Sequence, residues 1–234
     1  MVNGNFCCHC GQPLQLSRID VHYILHEIRH VLHFEKGILY TVKELLYRPG
    51  KVIKEFIKDD RSRLVKPMLF IVITSLVYTS INHLFHIEQE YVDYSSDTKN
   101  STTSLIFNWI QNHYGYANIM MGIFIAFWLK LIYRAYGYNF FEILILLCFV
   151  MGIGMLVFSV FALFEGLTKI PVMEIAGVVG ISYCAWAIGH FFDRRKVMSY
   201  LKALGAYVLG MITFLISAVL SGFLIDLFIK HFGA

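Results

Sequence analysis

Long apolar runs dominate the C-terminal two thirds of the chain, and each is near the length of about 20 residues that a spanning helix needs. Five are legible: Pro67 to Phe85, Ala117 to Tyr133, Phe140 to Phe164, Pro171 to Phe192 and Ala203 to Ile229. Between the first two lies Ile87 to Tyr116, where Tyr94-Ser95-Ser96-Asp97-Thr98-Lys99-Asn100-Ser101 reads as a polar exposed loop. Ahead of the runs the pattern changes to amphipathic stripes. A helix opened by Ser17, with Asp20 as its capping-box partner, carries Val21, Ile24, Leu25, Ile28, Val31 and Leu32 on one face. His22, His26, His30 and His33 fall on the opposite face. After Pro49, which disfavours helix at Arg48 and can open a new one, Val52, Ile53, Phe56 and Ile57 make a second stripe. The pattern predicts an all-α protein: a polytopic membrane helix bundle with five transmembrane helices and a small head of amphipathic helices. Three regions follow, a cysteine-rich turn (1–16), the head helices (17–66) and the spans (67–234).

Composition agrees, because 57% of the 234 residues are hydrophobic and 15% charged, too apolar for a water-soluble domain and with little chain left for a large extramembrane enzyme. Charge then sets orientation, since cytoplasmic loops carry the excess of Lys and Arg. With five crossings, all of the 20 Lys and Arg residues except Lys99, Lys169 and Lys230 fall on one side. The head and N-terminus are therefore expected in the cytoplasm and the C-terminus outside, in a bacterial inner membrane. Met1 to Gln12 is polar and cysteine-rich, unlike a secretory signal, so the start is expected to be retained. Nothing suggests a nucleic-acid partner; membrane lipids, and a membrane or cytoplasmic protein, are the expected ones.

Candidate chemistry concentrates in the head. Cys7 and Cys10 have the CxxC spacing in which two thiolates hold one zinc ion, and Gly11 eases the turn. His22 and His26 would complete Cys7-x2-Cys10-x11-His22-x3-His26, one residue short of the usual Cys2His2 finger spacing; the competing reading is a metal-free N-terminus. His26-Glu27-Ile28-Arg29-His30 is also an HExxH sequence, in which His26 and His30 would bind zinc and Glu27 would activate water. Arg29 stands where such enzymes carry an uncharged residue, and no HxxGxxH third-ligand motif follows, so a histidine-rich surface face is favoured over catalysis.

The segment Arg48-Pro49-Gly50, with Lys51, Lys54, Phe56 and Lys58, reads either as an amphipathic element in the membrane interface, lysines near anionic headgroups, or as a helix packed on the spans. Within the spans, Glu142, Glu174 and Asp226 all lie near interfaces rather than deep among helices, which disfavours ion-coupled transport. Asn139, Glu142 and His190 are the positions at which a small-solute or lipid transporter would be sensitive.

The head motifs Cys7-Cys8-His9-Cys10-Gly11-Gln12, His33-Phe34-Glu35-Lys36-Gly37, Thr41, Glu44-Leu45-Leu46 and Arg48-Pro49-Gly50, closed by Lys66-Pro67, resemble an uncharacterised family of bacterial multispanning proteins known only as a domain of unknown function. Weaker similarity continues at Tyr138-Asn139-Phe140-Phe141-Glu142. The resemblance implies class and architecture and no activity; the family's earlier CxxC pair, which would complete a four-cysteine zinc ribbon, has no counterpart here. In topology alone the arrangement also resembles the Yip family of trafficking proteins. The expected function is that of a non-enzymatic membrane protein with a zinc- or partner-binding head, in an adaptor or membrane-organising role, with a membrane zinc metalloprotease and a transporter as alternatives.

Overall fold

The computed structural model describes residues 37–60, 63–85 and 102–232. Among them are eight α-helices and no strand: α1 (Ile38–Tyr47), α2 (Pro49–Lys58), α3 (Pro67–Phe85), α4 (Thr102–Asn112), α5 (Tyr114–Ile132), α6 (Phe140–Thr168), α7 (Met173–Asp193) and α8 (Val197–Phe232), with a 3-10 turn at Arg134–Tyr136. Five are long and apolar enough to cross a membrane, namely α3, most of α5, α6, α7 and α8. The chain is an integral membrane protein of all-helical fold.

The spans match the apolar runs with shifted ends. At 29 and 36 residues, α6 and α8 would reach about 43 and 54 Å at 1.5 Å per residue, longer than the hydrocarbon core of about 30 Å. Helix α4 occupies part of the stretch between the first two runs, where no helix was expected. A tertiary contact accounts for it: the Thr102 amide donates to both Asp226 carboxylate oxygens at 3.2 Å, and the Thr102 hydroxyl bonds to the same carboxylate. A carboxylate from a distant helix thus caps a segment whose own sequence offers no acidic cap.

The spans are staggered. Helix α3 runs parallel to the later part of α6: Met68 meets Cys148, Phe70 and Thr74 face Gly152, and Phe85 lies against Gly166. The first turns of α6 therefore project beyond the start of α3. The last turns of antiparallel α7 project with them, because Cys184 lies beside Val150 and Gly154. Helices α1 and α2 occupy the notch this leaves. Leu45, Val52, Ile53, Phe56 and Ile57 belong to the same buried cluster as Phe70, Phe149 and Phe191, so the head helices extend the core of the bundle.

Candidate functional site

The notch is the best-defined candidate site. It begins at the corner between α1 and α2. A residue before proline is pushed out of the α region, and Arg48 adopts φ −143° and ψ 50° while ending one helix and preceding the next. Its N–H donates to the Glu44 carbonyl, its own carbonyl accepts from Val52, and its guanidinium pairs with the Glu44 carboxylate at 2.9 Å. Pro49 takes the first helical position, where a missing N–H costs nothing.

Gly50 follows, and the close approach requires a glycine. A Cβ here would stand 2.4 Å from His190 Nδ1 and 2.5 Å from the His190 carbonyl oxygen. Two further bonds fix the hairpin. Tyr183 donates its hydroxyl to the Leu45 carbonyl at 3.0 Å, and the Thr41 hydroxyl accepts from the Val65 amide at 3.2 Å, tying α1 to the strap that leads into α3. Farther along α2, Phe56 packs edge-to-face on Phe149 with centroids 5.2 Å apart.

The polar face of α2 divides in two. On one side Lys51 and Arg63 pair with Glu55 at 3.6 and 3.1 Å, and Arg63 also donates to the Tyr40 hydroxyl at 2.8 Å. Glu55, Asp59, Asp60 and Arg63 line a hollow of about 200 Å3 there. On the other side Lys54 lies 5.5 Å from the centroid of Phe191 and Lys58 lies 5.7 Å from that of Tyr138. Those two rings touch, with centroids 4.8 Å apart. Burial, and then the Lys58 charge, hold the Lys54 ammonium's pKa below the ordinary lysine value, against the opposing pull of Asp193. Burial, and then the charge of Glu142, raise that of the Tyr138 phenol.

The residues read from sequence distribute as follows. Arg48, Pro49, Gly50, Lys51, Lys54, Phe56 and Lys58 all lie on the hairpin, and the apolar side chains of α2 are covered by protein. His190 forms part of the notch wall; its Nδ1 is buried with no hydrogen-bond partner among the described residues. Asn139 and Glu142 form a reciprocal capping box at the start of α6, with both bonds at 2.8 Å. Cys7, Cys10, His22, His26, Glu27 and His30 lie outside the described residues; among the described residues no group of three potential ligands is placed to hold a metal.

Sequence reading missed Tyr183 and Glu165, and saw Thr41 only as a motif residue without its bond to Val65. Glu165 is 5% exposed, and its carboxylate accepts from the amides of Val172 at 2.7 Å and Met173 at 3.1 Å, capping α7. The spacing of an acid seven residues before a turn carried no recognisable signal for this.

Comparison with known proteins gives one family: the profile of DUF3667, a protein family of unknown function, matches residues 35–79. That segment contains α1, α2 and most of α3, the part of the chain that forms and enters the notch. No curated protein and no solved structure matches the chain significantly.

Proposed function

We propose that this is a non-enzymatic membrane protein in which a hairpin docked on the spans holds an N-terminal zinc- or partner-binding segment against the bilayer, as an adaptor or membrane-organising element. The observation that carries the reading is the seating of Gly50 on His190, with Leu45 and Phe56 buried around it. A segment joined to the spans through main chain and core side chains moves with them, so an event on one is transmitted to the other. The motif residues of the 35–79 segment serve this joint: Thr41, Glu44, Leu45, Arg48, Pro49 and Gly50 each make one of its contacts. Use of Glu142, Glu165 and Asp226 as helix caps further supports a role other than ion-coupled transport.

In this reading the hairpin faces the cytoplasm of a bacterial inner membrane and Ala234 lies outside, as the distribution of Lys and Arg favours. Reporters fused at Met1, Arg195 and Ala234 test the orientation, and a cytoplasmic C-terminus would overturn it. The functional test is Glu27→Gln in the full chain. Unchanged cellular phenotype and zinc content support the adaptor; loss of a proteolytic activity with zinc retained would establish the metalloprotease instead.

A further inference from the structure

The two ammonium groups over the Phe191–Tyr138 rings differ from the other lysine of α2. Lys51 pairs with Glu55 at 3.6 Å, whereas Lys54 and Lys58 have no carboxylate within 4.0 Å among the described residues and lie over aromatic rings instead. They stand one turn apart on the same helix face, where like charges repel, and Lys54 is half-buried. The nearby acids are engaged elsewhere. Asp193 accepts from the Arg195 amide at 3.0 Å and pairs with Lys196 at 3.3 Å, while Glu142 is held in its capping box with Asn139. Lys130, whose ammonium donates to the Tyr138 main-chain carbonyl, adds a third cation nearby. Arg194 adds a fourth charge near His190.

We propose that Lys54 and Lys58, seated over Phe191 and Tyr138, form a binding site for the phosphate of an anionic phospholipid at the seam between α2 and α7. A phosphodiester accepts hydrogen bonds from two ammonium groups at once and removes the repulsion between them. Tyr138, a neutral phenol at neutral pH, lies beneath Lys58 at the same place. The lipid source is favoured over free phosphate by the surface around this end of the bundle. Phe141, Val197 and Leu201 are 72%, 75% and 57% exposed there, apolar side chains that acyl chains would cover while the headgroup reaches the lysines. The proposal rests on the docked-hairpin reading and gives it a lipid partner of defined chemistry.

The test uses the full chain reconstituted in mixed phosphatidylglycerol and phosphatidylcholine vesicles, extracted in mild detergent, with the lipid retained per protein measured by mass spectrometry. Wild type should retain phosphatidylglycerol over phosphatidylcholine. Lys54→Gln with Lys58→Gln should lower that preference roughly ten-fold or more, from the loss of two cations at a headgroup. Lys51→Gln with Lys202→Gln, which removes equal charge elsewhere at the same end, should leave it unchanged. Equal loss in both pairs would replace the site by a diffuse surface charge, and retention unchanged in the first pair would overturn the proposal. Inorganic phosphate that displaces phosphatidylglycerol at millimolar level would assign the site to the free anion instead. Hydrogen exchange on α2 in each sample separates the two readings: a protected α2 with no lipid preference refutes the lipid site alone, and an unprotected α2 in wild type refutes the docking beneath it.

Discussion

Gly50→Ala is the sharpest perturbation of the notch, because two physical effects of opposite sign meet in one methyl group. Alanine is intrinsically better than glycine in a helix by up to about 1 kcal/mol, so an α2 packed on nothing would gain from the change. In the structure the added Cβ would stand 2.4 to 2.6 Å from His190 Nδ1, O and C, about 1 Å inside the ordinary separation of about 3.5 Å between nonbonded carbons. Two of those atoms are backbone of a span helix and cannot swing away, so α2 must retreat from α7. Such overpacking costs about 1–3 kcal/mol. The retreat also loosens Phe56 on Phe149 and the Tyr183 bond to Leu45. A net loss of about 1–2 kcal/mol in the docking of α2 corresponds to about a 5- to 30-fold fall in hydrogen-exchange protection of the Val52 to Ile57 amides. Gly205→Ala is the control: beyond its own helix backbone no atom of the described residues lies within 4 Å of its would-be Cβ, so protection across α8 should stay equal or rise. Protection of α2 that rises in Gly50→Ala would refute the close approach and with it the joint between head and spans.

Three further outcomes follow from named contacts, and one from the Cys and His spacing of the N-terminal segment. Glu165→Ala removes the carboxylate that accepts from the Val172 and Met173 amides and should lower stability by about 1–2 kcal/mol, read as a lower unfolding temperature of the detergent-solubilised chain, with Glu165→Gln intermediate; no shift in the alanine variant would remove the capping role. Tyr133→Phe deletes the hydroxyl that bonds to the Ser199 carbonyl but keeps the ring stacked on Phe192 at 3.8 Å, so it should cost about 1 kcal/mol by the same melt, less than Tyr133→Ala. Zinc content of the full chain should be at most one ion per chain, lost in Cys7→Ser or Cys10→Ser and reduced in His22→Ala or His26→Ala; full content in both cysteine variants would shift the site to His26 and His30. For Lys54, whose folded pKa lies below 10.5, the unfolded chain binds the proton more tightly, so stability should rise with pH between the lowered value and 10.5. The unfolding temperature of wild type minus that of Lys54→Met should therefore climb as pH rises toward 10.5 in phosphatidylcholine and climb less with phosphatidylglycerol present, and a flat difference in both lipids would contradict the desolvation of Lys54.

The parts legible in sequence are those set by one-dimensional regularities. Hydrophobic length located five spans, and an apolar stripe after Pro49 located α2 and its buried face. Asn139 and Glu142 could be seen as polar groups near a span end, yet their reciprocal capping needed only the local rule for an Asn followed three residues later by Glu. What stayed hidden depends on which helices meet. Helix α4 exists against Asp226, 124 residues away in sequence, and no window around Thr102 contains that carboxylate. The choice for α2 between a lipid-facing and a protein-facing stripe likewise turns on Gly50, a residue that elsewhere in a helix start would signify little. Its meaning comes from the His190 backbone, visible only in three dimensions.

The stagger of the spans explains why so short a hairpin as α1 and α2 can be ordered at all. Helices α1 and α2 have 10 residues each, shorter than the roughly 12 to 15 residues at which isolated helices become even marginal in water. Helix α2 also presents a strongly basic face that would repel itself without compensation. Their order is supplied by α6 and α7, which offer Phe149, Tyr183, His190 and Phe191 as a ready-made floor. A cost accompanies this solution. The floor brings Lys54 and Lys58 over adjoining rings with no carboxylate within 4.0 Å among the described residues, and the more distant pull of Asp193 on Lys54 together with cation–π attraction of about 0.5–2 kcal/mol per pair offsets only part of the desolvation and mutual repulsion. The same packing that orders the hairpin therefore leaves uncompensated positive charge at its edge, which is why docking of the hairpin and the proposed recognition of an anionic headgroup should be coupled rather than independent properties of this chain.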